Sequence, residues 1–269
     1  MCTLTATLGV DAGASLCKLA LFSDGLRTAL FPSTELSLVR AQVESWNPQR
    51  VVATGGGAAR IERELAGRPV WRVAEFDAWA SGAPLLARRE GVTLPETYLL
   101  VSLGTGTSIL LVQADRVERV GGSALGGGSM LGLARLVMDV PSFEQLVALA
   151  ARGDRRGVDL LVGDIYDDES IPLPPDLTAA SFGKLTSTRP EDLAHALVGL
   201  VGENIGLICG GLARATEAEA IVYGGSTLTG NPALGQILTV MAQAFGRACH
   251  ILGDGAFCGA VGAAALADS

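Results

Sequence analysis

The chain carries the same short plan twice, and that repetition restricts its fold more than any other feature. Residues 8–21, LGVDAGASLCKLAL, form an apolar run, a turn of small residues and a second apolar run. Residues 98–113, YLLVSLGTGTSILLVQ, do the same, and aligning the turns sets Gly13 against Gly106 and Ser15 against Ser108. Both read as β-hairpins rich in Leu, Val and Ile. A second pair of echoes follows in the same order. Residues 50–66, RVVATGGGAARIERELA, and 220–242, AIVYGGSTLTGNPALGQILTVMA, each read as a short buried strand, a glycine pair and a helix. Asn231 and Pro232 supply a cap and a first-turn proline for the second of these helices. Other helical patterns cover SMLGLARLVMD, SFEQLVALAARG with Ser142 as its cap, and RPEDLAHALVGLVGENIGLICGGLARAT. Strands alternating with helices make the chain α/β. A duplicated plan predicts two lobes, with a cleft between matched glycine turns.

Composition narrows what that cleft can bind. Gly accounts for 35 of 269 residues, clustered at 55–57, 104–106, 121–122, 126–128 and 224–225, which points to close backbone approaches. The net charge of −8, with no Lys/Arg-rich stripe, argues against nucleic acid. A small anion is still admissible, because glycine turns and helix N-termini supply local positive potential. The N-terminal residues lack a basic leader, and no apolar run is long enough to span a bilayer without polar or glycine interruption, so neither signal peptide nor membrane span is expected. Five scattered cysteines without a CxxC fit a reducing compartment and argue against zinc or an iron–sulfur cluster. His195 and His250 are the two histidines, too few for a histidine metal centre.

Candidate site residues follow, most with two readings. Asp11 closes a buried strand; it is either a turn acid on a surface hairpin or a metal-side carboxylate whose burial a cation offsets. The GTGTS turn at 104–108 offers amides and hydroxyls to an oxyanion. In RVGGSALGGGSMLGLARL, three glycines and Ser129 lead into an apolar helix, favouring an anion site over a flexible connection. Glu75 and Asp77 precede a helical stretch and are either first-turn acids that complement the dipole or include a general base. The acids of GDIYDDES (163–170) lack EF-hand spacing and read as a solvated loop. His195 lies in an apolar helical pattern and reads as a satisfied structural histidine. No G-x-S-x-G elbow supports Ser–His–Asp hydrolysis.

Taken in order, GVDAGAS..K, VAEFDA, SLGTGTSI, RVGGSALGGGSMLGL, LAARGDRRGVDLLVGDIYD, PPDLTAASFG, IVYGGSTLTGN and GDGAFCGAVGAAAL resemble the type II pantothenate kinases, from about residue 8 to 266. The resemblance implies a two-lobed actin-like ATPase fold of the ribonuclease-H-like kind, with internal duplication and a central nucleotide cleft. An N-terminal lobe would cover residues 1–96 and a C-terminal lobe 97–269. It also implies ATP- and Mg²⁺-dependent phosphorylation of pantothenate, the entry step to coenzyme A, by a cytoplasmic homodimer whose helix near 191–215 contributes to the interface. Glu75 matches the catalytic base, and Thr105, Ser108 and Arg119, with Glu75 itself, match the pantothenate site. Asp11, Ala12, Gly13, Ala14, Ser15 and Lys18 match the nucleotide-phosphate hairpin, with Asp11 on the metal side. Thr105, Gly127, Gly128, Ser129, Met130, Leu131 and Ser226 match further nucleotide contacts, and Phe143 falls where some relatives place a tyrosine. Coenzyme A or its thioesters are implied as candidate inhibitors. Two departures stand out. Ala14 adds a methyl beside the phosphate path, which would be strained if φ were positive there. Pro84 should kink the helix after Glu75 or start a new one. An amino-sugar kinase and a non-catalytic sensor of coenzyme A thioesters are the alternatives; an iron–sulfur activator ATPase is disfavoured by the cysteines.

Overall fold

The structure, a computed structural model, describes residues 6–22, 25–166 and 175–268. The first half runs β1 (Thr7–Ala12), β2 (Leu16–Phe22), β3 (Leu26–Pro32), α1 (Leu36–Trp46), β4 (Arg50–Thr54), α2 (Ala58–Glu64), β5 (Val70–Arg72) and α3 (Glu75–Arg89). The second opens with β6 (Tyr98–Leu103), β7 (Thr107–Gln113), β8 (Arg116–Ser123), α4 (Gly127–Met138) and α5 (Phe143–Ala150). A two-stranded pair, β9 (Leu160–Leu161) and β10 (Thr178–Ala180), precedes α6 (Pro190–Ala215), and β11 (Ala220–Gly224), α7 (Pro232–Ala244), β12 (Ala248–Ile251) and α8 (Cys258–Ala265) complete it.

Both sheets have five strands, ordered β3-β2-β1-β4-β5 and β8-β7-β6-β11-β12. In each, an antiparallel meander feeds a strand that pairs in parallel with the first strand of its half. The duplication expected from the sequence is therefore present in the topology. Its register differs from the turn alignment. Asp11 pairs with Lys18 in the first hairpin, whereas Ser102 pairs with Ser108 at the matching rung of the second. Ser108 thus corresponds to Lys18, not to Ser15. The last rungs are Ala12–Cys17 and Leu103–Thr107, so the second turn is one residue shorter. Turns of small residues carry no apolar pattern that would fix their length.

Alternation along β1 sorts its side chains. Leu8, Val10 and Ala12 pack with Val39, Val43 and Ile61 beneath α1 and α2, while Gly9 and Asp11 face α8. In the second sheet Leu99, Val101 and Leu103 join the core under α4 to α7. Tyr98 and Leu100 instead pack with Trp79, Ala83 and Leu86 of α3 and Ala260 and Val261 of α8. The layers are α1/α2, first sheet, α3/α8, second sheet, α4–α7. Helix α8, which follows the second sheet in sequence, packs against β1, β2 and β4 of the first.

The shared middle layer is thin because α3 and α8 cross with backbones in contact. A Cβ at Gly82 would overlap the Cys258 carbonyl oxygen, and one at Gly262 would overlap that of Ala78. Pro84 lies inside α3, which runs unbroken through it to Arg89, so no new helix starts there. Helix α6 is long and apolar enough to cross a membrane by composition, but 67% of its most apolar window is buried within the fold. His195 on α6 bonds the Gly153 carbonyl through Nδ1 at 2.6 Å, as a satisfied structural histidine does. Cys17, Cys209, Cys249 and Cys258 are free. Of GDIYDDES, residues 167–170 lie outside the described residues.

Overpacking of a filled contact typically costs ~1–3 kcal/mol. Gly262→Ala should reach at least about that loss in urea unfolding, while Gly132→Ala, where a Cβ meets open space, should not destabilise the protein.

Candidate active site

The two hairpin turns and the start of α3 face one another across a cleft of about 290 Å³. Ser15 Oγ and Thr105 Oγ1 lie 2.8 Å apart, so the turns meet at their tips. Asp11, Gly13, Ala14, Ser15 and Lys18 line the cleft from the first hairpin, and Thr105 and Ser108 from the second. Glu75 and Ser226 complete the set of expected residues found there. Thr107 of the GTGTS turn lines it too, and Leu16, Trp79, Ser102 and Ser123 do so without having been singled out in the sequence. Ser102 sits on the rung that Asp11 occupies in the first hairpin, a match visible only once the register is known. Trp79 lies one helical turn after Glu75, on the same face of α3.

Asp11 is 3% exposed. Its carboxylate sits against two glycines: a Cβ at Gly55 would come within 2.8 Å of Oδ1, and one at Gly259 within 2.9 Å of Oδ2. Lys18 Nζ, 3.6 Å away, partly compensates its charge. Burial nevertheless holds the Asp11 carboxyl above the ordinary aspartate range, with Lys18 acting in the opposite direction. Glu75, the first residue of α3, is exposed to water while its carboxyl borders the cleft. Burial raises its pKa, the Asp11 charge raises it further, and Lys18 opposes both. Asp77 is exposed in the first turn of α3 and does not line the cleft, in keeping with the helix-dipole reading. Ala14 is not among the positive-φ residues, so its methyl brings no backbone strain.

Several expected residues are placed elsewhere. Ala12 points into the outer core and its carbonyl accepts from Gly57 N–H at 2.8 Å. Met130 is fully buried in the large core, and Phe143 packs against that core at the start of α5. Gly127 and Gly128 do not present free amides: they donate to the carbonyls of Gly104 and Thr105, both at 2.9 Å. Ser129 Oγ accepts from Gly126 N–H at 2.9 Å and caps the helix. Leu131 is half-buried on α4 and, like the rest of this segment, does not line the cleft. The glycine loop therefore braces the second turn, using the helix-terminal N–H groups that the sequence suggested were open to a ligand. Arg119, exposed on β8, does not line the cleft; its guanidinium lies beside Gly122, whose partner on β7 is the cleft-lining Ser108. A Cβ at Gly122 would overlap that guanidinium and approach the Thr107 carbonyl to 2.7 Å.

The sequence model of the Fumble family matches residues 30–266. A type II pantothenate kinase of Oceanobacillus iheyensis is 35% identical over 260 residues, covering 95% of this chain and 97% of the relative. The chain belongs to the Fumble family of type II pantothenate kinases. Another family member, from Staphylococcus aureus strain USA300, is 34% identical over 264 residues, with 95% and 97% coverage. Solved structures share the fold at low identity. The activator of 2-hydroxyisocaproyl-CoA dehydratase from Clostridium difficile, with bound ADPNP, superposes with a TM-score of 0.67 at 15% identity over 97% of this chain and 94% of that one. A ROK family glucokinase from Streptomyces griseus, in complex with glucose and AMPPNP, gives 0.62 at 14% identity, covering 97% and 98%. The two-lobed actin-like ATPase fold expected of a Fumble-family chain is the one observed.

The Asp11 charge is the second cause of the raised Glu75 pKa. Asp11→Asn should therefore lower the Glu75 midpoint in a carbon-detected NMR titration; an unchanged midpoint would show that the two carboxyls are uncoupled.

Proposed function

We propose that this chain transfers the γ-phosphoryl group of ATP to the primary hydroxyl of pantothenate. One observation carries the reading: Glu75 opens into the same cleft as both turns, so a base, amide-rich turns and hydroxyls share one enclosure. Phosphoryl transfer relies chiefly on positioning and electrostatic stabilisation, and an enclosure of this kind provides both.

In this mechanism the ATP phosphates lie between the turns, meeting amides on both sides and the hydroxyls of Ser15, Thr105 and Ser226. Lys18 offsets phosphate charge. Glu75 accepts the proton of the pantothenate hydroxyl as that oxygen attacks in line; its raised pKa makes it a better proton acceptor than an ordinary glutamate. Thr105 and Ser108 hold the acceptor, and the Arg119 fork takes its carboxylate. The donor set at Asp11 suits Mg²⁺ carried in with phosphate. It offers one buried carboxylate open to the cleft, and among the described residues no group of three His, Cys, Asp or Glu could form a protein-only cage. Bound there, Mg²⁺ would neutralise charge on the phosphates. A cytoplasmic homodimer completes the reading, with Leu207 and Ile208 of α6 and Leu136 and Val137 of α4 as exposed apolar contributors. The first lobe is residues 1–96 together with α8, and the second is the remainder.

A positioned base contributes about 10²–10⁴-fold. Glu75→Gln should lose roughly that much turnover while keeping ATP affinity, and near-wild-type turnover would remove Glu75 from the role. For wild type, kcat/KM should fall at acid pH with a midpoint above the ordinary glutamate value of about 4.3, since the base must be unprotonated. Pantothenate should stimulate ADP release where N-acetylglucosamine does not; the reverse result would assign an amino-sugar kinase. Arg119→Met should raise KM for pantothenate and leave KM for ATP in place.

A further inference from the structure

The outer sides of the two turns are held by unrelated groups that achieve the same result. In the first turn, Ser33 is 3% exposed just beyond β3. Its hydroxyl donates to the Gly13 carbonyl at 2.8 Å, and its N–H donates to the Ser15 carbonyl at 2.9 Å. In the second, Thr227 is 3% exposed and its hydroxyl donates to the Gly104 carbonyl at 2.8 Å. That carbonyl also accepts from Gly127 N–H, while Gly128 N–H takes the Thr105 carbonyl.

A trans peptide points its C=O and N–H in opposite directions, and the described chain has no cis peptide bond. Holding the carbonyls of Gly13, Gly104 and Thr105 outward therefore turns the N–H groups of Ala14, Thr105 and Gly106 away from the braces. All three residues line the cleft, and none of these amides has a hydrogen-bond partner among the described residues. Each turn would otherwise be free to flip its peptide planes and present carbonyl oxygens to an anion.

We infer that Ser33 and Thr227 are matched positioning residues, which fix the two turns with amides facing the cleft so that a polyphosphate meets donors on both sides. The inference rests on the proposed binding of ATP phosphates between the turns. Neither hydroxyl lines the cleft, so each acts through the backbone.

The test compares wild type with Ser33→Ala and Thr227→Val, using calorimetric ATP binding and the KM values for ATP and pantothenate. Loss of one neutral hydrogen bond to the turn should weaken ATP binding and raise KM for ATP about three- to tenfold. In Ser33→Ala, whose turn carries none of the residues assigned to pantothenate, KM for pantothenate should not move, whereas general loosening of the fold would shift both. Ser33→Thr and Thr227→Ser, which keep the hydroxyl, should restore ATP affinity; if Ser33→Thr overpacks and fails to fold, the Thr227 pair decides. ATP affinity unchanged in both hydroxyl-free variants would overturn the braces and leave the proposed function standing. Failure of wild type to bind ATP at all would overturn both.

Discussion

The crossing of α3 over α8 is the contact on which the rest of the molecule depends. Gly82 and Gly262 let the two helices meet backbone to backbone, so one thin layer covers the inner faces of both sheets. Thickening that layer would move the hairpin turns apart, because each turn sits at the end of a strand that packs on it. It would also carry Glu75 away from the cleft, since Glu75 is the first residue of α3. Pro84 is tolerated inside this helix even though it lacks the N–H that an interior position normally donates. Tight packing against α8 outweighs the local cost of an interior proline, which by propensity alone is roughly 3 kcal/mol.

A second constraint is electrostatic. Asp11 is an acid almost removed from water with a lysine as its ion-pair partner. Two charges held so deep are a weak source of stability, because desolvation opposes their attraction. The pair suits a site whose occupant brings its own charges. The neighbouring Glu75 is affected in turn, for an acid titrates upward beside an anion. The duplicated half shows the contrast: Ser102 and Ser108 occupy the same rung with hydroxyls in place of charges. The first hairpin thus brings charged side chains to the cleft and the second neutral hydroxyls.

Much of this was legible in the sequence because it is periodic. Apolar runs on either side of small-residue turns identified β1 and β6, helical spacing identified α6 and α7, and their order identified the duplication. Asp11 stood out because an acid that ends a buried strand requires an explanation, whereas Glu75 was separated from Asp77 only by the family resemblance. Features fixed by long-range contact were not legible. Ser33 looks like an ordinary residue after a strand-ending proline, and only folding shows that it holds a turn twenty residues earlier. The glycine loop at 126–128 was read as an anion cradle because free amides are the default at a helix N-terminus. The structure pairs two of those amides with the second turn instead. The one-residue difference between turns was hidden because small polar residues leave no hydrophobic trace.

The return of α8 to the first sheet bears on how the protein is made. Gly9 and Asp11 face α8, a helix synthesised long after them. Until residues 258–265 leave the ribosome, the inner face of the first sheet lacks its cover and Asp11 lies in water beside Lys18. The first half can form strand ladders as it emerges, but the inner face of its sheet waits for α8. Synthesis order thus delays the covered cleft until α8 is made, and a fragment ending before α8 would carry every cleft-lining residue without that cover.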